Sequence, residues 1–119
     1  SRFDELKNKS AEISQKLQVL KAEIDSETAN YQTDLANLNQ QIEQFNERAK
    51  NNFYQTQTAF NADRDSLNLK KEQLENDRSL INQKVGEYND LINQANQISI
   101  QTNELNESIN SKLKSANEL

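Results

Sequence analysis

Apolar residues recur along the first part of the chain at alternating three- and four-residue steps: Phe3, Leu6, Ile13, Leu17, Leu20, Ile24, then Tyr31, Leu35, Leu38, Ile42, Phe45 and Ala49. Residues so spaced fall on one face of an α-helix and form a heptad seam. After Leu20 one half of the seam shifts by a residue, and Thr28, Leu35 and Ile42 carry it on. A discontinuity of that kind changes the supercoil pitch locally without ending the helix. The same signal returns through Phe53, Phe60, Leu67, Leu74, Ile81, Val85, Tyr88, Ile92, Ala95, Leu105, Ile109 and Leu113. The pattern predicts an all-α protein, a long antiparallel two-helix coiled-coil hairpin. The alternative is one continuous helix, about 180 Å long, in a parallel coiled-coil oligomer.

The hairpin is favoured because end signals gather between Arg48 and Gln55. Arg48 and Lys50 complement a helix C-terminus. Asn51 can adopt the left-handed conformation that closes a helix, and Asn52 with Gln55 has the spacing of a capping box opening the next. One coiled-coil region over 1–119 is expected, with helix 1 at about 3–50, a turn at about 51–53 and helix 2 at about 54–118. Residues 61–66, with Asp63 and Asp65, form a rival turn. The favoured fold pairs Phe45 with Phe60, Leu38 with Leu67, Tyr31 with Leu74 and Ile24 with Ile81. Helix 2 then outruns helix 1, and Leu105, Ile109, Leu113 and Ala116 are left as an unpartnered apolar stripe expected to drive self-association or to dock on a neighbouring domain of the same protein.

Composition narrows the reading. Only 33% of the residues are hydrophobic, against roughly 45–50% in ordinary soluble domains. That is too few for a broad core but enough for a seam using two positions in seven. There is no Pro and one Gly, Gly86, so nothing forcibly breaks a helix. The net charge of -5, with acidic and basic residues interspersed, opposes binding to nucleic-acid backbones. No apolar run approaches the roughly 18 residues of a membrane span, and no membrane insertion by this segment is expected.

The chain lacks His and Cys, and with them the usual general base, thiol nucleophile and zinc ligands. No enzyme activity, metal or cofactor is expected of it. Asp63, Asp65, Glu72, Glu75 and Asp77 lack the Gly turn and distal Glu of a calcium loop and read as a solvated face. Asn61, Asn68, Asn82, Asn89, Asn96, Asn103, Asn110 and Asn117 repeat at heptad spacing, one residue after the seam, as a solvated flank or as a polar ladder fixing register. Tyr31 and Tyr88 read as seam residues. Phe53 and Tyr54, at the expected tip, are candidate recognition residues, since exposed aromatics often anchor interfaces.

Ile24-Asp25 with Ala29 and Tyr31, Phe45-Asn46, Phe60-Asn61-Ala62-Asp63-Arg64 with Leu67-Asn68, and Tyr88-Asn89 with Leu91-Ile92 and Asn96 form a vocabulary that resembles the coiled-coil hairpin of bacterial matrixin-like zinc metalloproteases. The family's zinc-binding His-Glu-x-x-His does not occur here, and its Gly-Gly turn is replaced by Asn51-Asn52. The resemblance therefore implies a non-catalytic hairpin beside a protease-like domain, in an envelope or secreted protein. The expected function is a structural or interaction module, a rigid spacer or self-association element within a larger protein. The alternative is an accessory hairpin that regulates or positions such a protease.

Overall fold

The computed structural model describes residues 1–118, and they form two helices, α1 (Arg2–Lys50) and α2 (Gln57–Asn117), with no strand among them. At the start of α1 the Ser1 hydroxyl accepts the Asp4 backbone N–H at 3.3 Å, while Asp4 and Glu5 place negative charge in the first turn. Both features satisfy the bare amides and dipole of a helix N-terminus. Arg48 and Lys50 do the converse in the last turn of α1.

The reversal occurs in the stretch that the sequence singles out, with a different division of labour. Asn52, not Asn51, takes the left-handed conformation, at φ 57°. Asn51 still continues the helical ladder, its N–H bonding to the Glu47 carbonyl at 2.9 Å, and the Phe53 N–H then reaches back to the Arg48 carbonyl at 2.9 Å. This six-to-one bond is the Schellman closure of a helix C-terminus. The expected capping box of Asn52 and Gln55 does not form, because Asn52 is committed to ending α1. Thr56 opens α2 instead: its Oγ1 accepts the Ala59 N–H at 3.1 Å, and its carbonyl accepts the Phe60 N–H at 3.2 Å. The connection is therefore residues 51–56, longer than the expected 51–53, and α2 starts at Gln57 instead of about 54. The rival turn at 61–66 lies inside α2.

The hairpin comprises two units. The unit carrying the turn, Ile24–Lys84, packs the two helices antiparallel around Leu38 and Leu74, which are 5% and 7% exposed. Its helices are aligned by Lys70, whose ammonium donates to Gln41 Oε1 at 2.8 Å, and by an ion pair between Lys84 and Glu27. Leu38 and Leu74 line one hollow, and Tyr31 and Ile81 line another. The register along this stretch thus differs by one heptad from the expected pairing of Leu38 with Leu67 and Tyr31 with Leu74, whereas the expected pair of Phe45 and Phe60 does meet, beside the turn. A strict heptad seam mirrors onto itself at every seventh residue, so apolar spacing alone does not distinguish the two alignments.

The other unit joins Ser1–Glu23 to the described part of Val85–Leu119. Leu6, Ile13 and Leu20 are buried in it, with Leu91, Ile98 and Leu105 half-buried on α2. Arg2 Nη2 reaches Gln101 Oε1 at 3.4 Å, and Ile13 shares a hollow with Ile98. Where the seam crosses Ser10, Ser14, Ser99 and Thr102, small polar side chains leave a broad shallow hollow. The Thr102 hydroxyl is satisfied there by donating to the Ile98 carbonyl at 2.8 Å.

Candidate interaction surfaces

At the tip, burial is aromatic. Phe45 on α1 meets Phe60 on α2 with ring centroids 5.1 Å apart, and Tyr54 from the connection folds over both, at 5.7 Å from Phe45 and 5.5 Å from Phe60. These tilted and edge-on geometries are the favourable ones for aromatic pairs. The Tyr54 hydroxyl donates to Asp63 Oδ2 at 2.7 Å. Partial burial pushes the Tyr54 phenol above its usual value, the hydrogen bond and negative charge of Asp63 add to the effect, and Arg48 partly offsets it. Phe53 stands edge-on to Tyr54 at 5.3 Å, with the Arg48 guanidinium 5.1 Å from its ring centroid, yet it is 59% exposed. Of the two candidate tip residues, Tyr54 is thus bound into the packing, whereas Phe53 offers a ring to solvent with a cation on one face.

Toward the end of α2 the apolar stripe loses its cover by degrees. Leu105 is half-buried, Ile109 is 38% exposed and Leu113 59%, and Ala116 is exposed. The cover on Leu105 reflects the register, which brings α1 further along α2 than the expected pairing would. The same register sets Ile109 opposite Phe3 at the start of α1, so the part of the stripe that extends past α1 starts at Leu113. The other strongly exposed apolar side chains, among them Val19, Leu69, Leu80 and Ile100, stand singly, as surface apolar residues ordinarily do.

The Asn row from Asn68 to Asn117 faces solvent at every described member, and only Asn61 is half-buried. It is a solvated flank. Tyr31 and Tyr88 sit half-buried in the seam. Among the described residues no group of three or more Asp or Glu side chains is placed to hold a metal ion, and no helix is long and apolar enough to cross a membrane.

One polar feature was missed in the sequence. The heptad phase that is Leu6, Ile13 and Leu20 in one unit continues in the other as Glu27, Asp34, Gln41 and Arg48. Its counterpart on α2 is Leu105, Ile98 and Leu91, then Lys84, Asp77, Lys70 and Asp63. Within the turn-bearing unit these polar residues face one another: Glu27 pairs with Lys84, Asp34 and Asp77 line the same hollows, Gln41 accepts from Lys70, and Arg48 and Asp63 border one hollow with Tyr54. The signal that could have found them is the switch of this phase from apolar to polar at Glu27, after which it stays polar through Arg48.

These features define the chain as an all-α helical hairpin with an apolar stripe at the end of α2 and an aromatic tip. It matches no protein-family model, and neither the curated proteins nor the solved structures include a significant match.

Proposed function

We propose that this chain is a structural and interaction module, a helical hairpin that spaces its surroundings and self-associates through the stripe of Ile109, Leu113 and Ala116. The observation that carries this reading is surface area. The protein exposes 9268 Å², whereas a globular monomer of 13.7 kDa exposes about 6600 Å². A standard protein–protein interface removes roughly 1200–2000 Å² in total, and the excess here is larger than that. Among the described residues five apolar side chains are buried, Leu6, Ile13, Leu20, Leu38 and Leu74; they make a small core, and small cores are commonly supplemented by oligomerisation.

Sedimentation velocity over a dilution series tests the proposal. The unaltered chain is expected to pass from monomer to dimer with rising concentration, and a variant carrying Ile109→Ser and Leu113→Ser to need at least ~10-fold more protein, a loss of about 1.4 kcal/mol. Two identical monomers throughout would refute it.

The resemblance to matrixin-like metalloproteases supports a narrower reading, in which the hairpin positions a protease domain of the same protein. The full reading frame tests that: a downstream His-Glu-x-x-His followed by a further His is expected, and an unrelated neighbour would sink it.

A further inference from the structure

We infer that Glu27, Asp34, Lys70, Asp77 and Lys84 form a register lock, which selects between two alignments of α1 and α2 that the apolar seam of the turn-bearing unit leaves equivalent. In the turn-bearing unit the central apolar row recurs at every seventh residue on both helices: Tyr31, Leu38 and Phe45 on α1, and Phe60, Leu67, Leu74 and Ile81 on α2. Sliding α2 by one heptad, about 10 Å at the rise of an α-helix, sets Leu38 against Leu67 and Tyr31 against Leu74. Apolar still meets apolar. Within this unit burial therefore has little power to choose; in the other unit the slide would set Leu20 against Lys84 and carry Leu105 past the start of α1, so burial there favours the observed alignment alongside the charges.

The flanking row does not survive the slide unchanged. In the observed alignment Glu27 pairs with Lys84 and Gln41 accepts from Lys70, while Asp34 and Asp77 share a hollow. In the slid alignment Glu27 comes opposite Asp77, Asp34 opposite Lys70 and Gln41 opposite Asp63. Each alignment contains one pair of like charges. The difference lies at Glu27, which is only partly exposed and whose Oε2 is buried without a hydrogen-bond partner. A carboxylate so placed is costly to bring against a second carboxylate and gains most from the lysine it holds. Single polar residues in coiled-coil seams set register in this manner. The turn-bearing unit is accordingly an element with two alignments biased toward one by a few charges, and any event that neutralises Glu27 or Lys84 weakens that bias.

Cysteine pairs read the alignment directly, because the chain has no cysteine of its own. Leu38→Cys with Leu74→Cys reports the observed register, and Leu38→Cys with Leu67→Cys the slid one, each scored as the intramolecular disulfide formed in a thiol–disulfide buffer. With the charges unaltered, the first pair is expected to close at least ~10-fold more completely than the second. Adding Asp77→Lys with Lys84→Glu preserves net charge, moves the like-charge pair of the observed alignment from Asp34 to the more buried Glu27, and leaves the slid alignment with no like pair, Glu27 and Asp34 each then facing a lysine. The ratio should fall by at least ~10-fold. Glu27→Lys alone should lower it in the same direction, and it decides the matter if the charge exchange loses its helical circular dichroism. An unchanged ratio in a folded variant would overturn the lock, as would equal closure with unaltered charges. Loss of helix in both variants would overturn it too, since a second alignment was available to fold into.

Discussion

Leu38→Ala probes the core where it is thinnest. Leu38 is 5% exposed and faces Leu74 across the seam. Truncation removes three carbons from a dry position, worth about 2.4 kcal/mol at ~0.8 kcal/mol per methylene. In closed cores a further cavity contribution raises such losses to as much as ~5 kcal/mol. Here the space left behind opens onto a hollow walled by Asp34, Gln41, Lys70, Gln73 and Asp77, so water enters it and the cavity contribution is small. The expected loss is about 2–3 kcal/mol, the low end of the range for buried leucines. Leu69→Ala is the control: Leu69 is 55% exposed, and its truncation should cost about 1 kcal/mol or less. Urea unfolding followed by circular dichroism, at one fixed protein concentration because association shifts apparent stability, gives both values. Equal losses at the two sites would refute the assignment of Leu38 to the core.

Other consequences are more local. Thr56→Ala removes the acceptor for the Ala59 N–H and should cost about 1 kcal/mol in the same assay. Asn52 sits at φ 57°, so Asn52→Ala should destabilise by about 1 kcal/mol while Asn52→Gly is neutral or stabilising; the opposite order would contradict the Schellman closure. The raised Tyr54 phenol has a consequence at high pH. The unfolded chain releases this proton near 10.0 while the folded chain still holds it, so stability is flat below that pH and falls as pH rises above it. Tyrosinate absorbance should show one late-titrating tyrosine that Tyr54→Phe removes.

Much of the architecture was legible in the sequence because a heptad seam, an absence of proline and a cluster of helix-ending residues all specify the same thing. The location of the turn followed from chemistry, but its details did not. Asn51 and Asn52 are the same residue type, and only the backbone course shows which of them turns left-handed. Thr56 was passed over because the box spacing of Asn52 and Gln55 offered an earlier helix start. Register was not legible from apolar spacing, since Leu67 and Leu74 are equivalent partners for Leu38 by that criterion. On the register lock inferred above, what separates them is the polar row from Glu27 to Arg48, of which the sequence reading took up only Arg48, as a helix-ending cation. Of the candidate surface residues, Tyr54 is drawn into the packing by Phe45 and Phe60, and Leu105 is half-covered because of the same one-heptad offset.

The self-association proposal can be tested most directly with one spin label, placed at the exposed Asn110 through Asn110→Cys in this cysteine-free chain. A single label per chain yields a dipolar distance only when two copies come together. The account predicts a defined distance that grows in amplitude with protein concentration, disappears on mixing with excess unlabelled chain, and is lost when Ile109→Ser and Leu113→Ser are added. Absence of any dipolar signal at every concentration would contradict it.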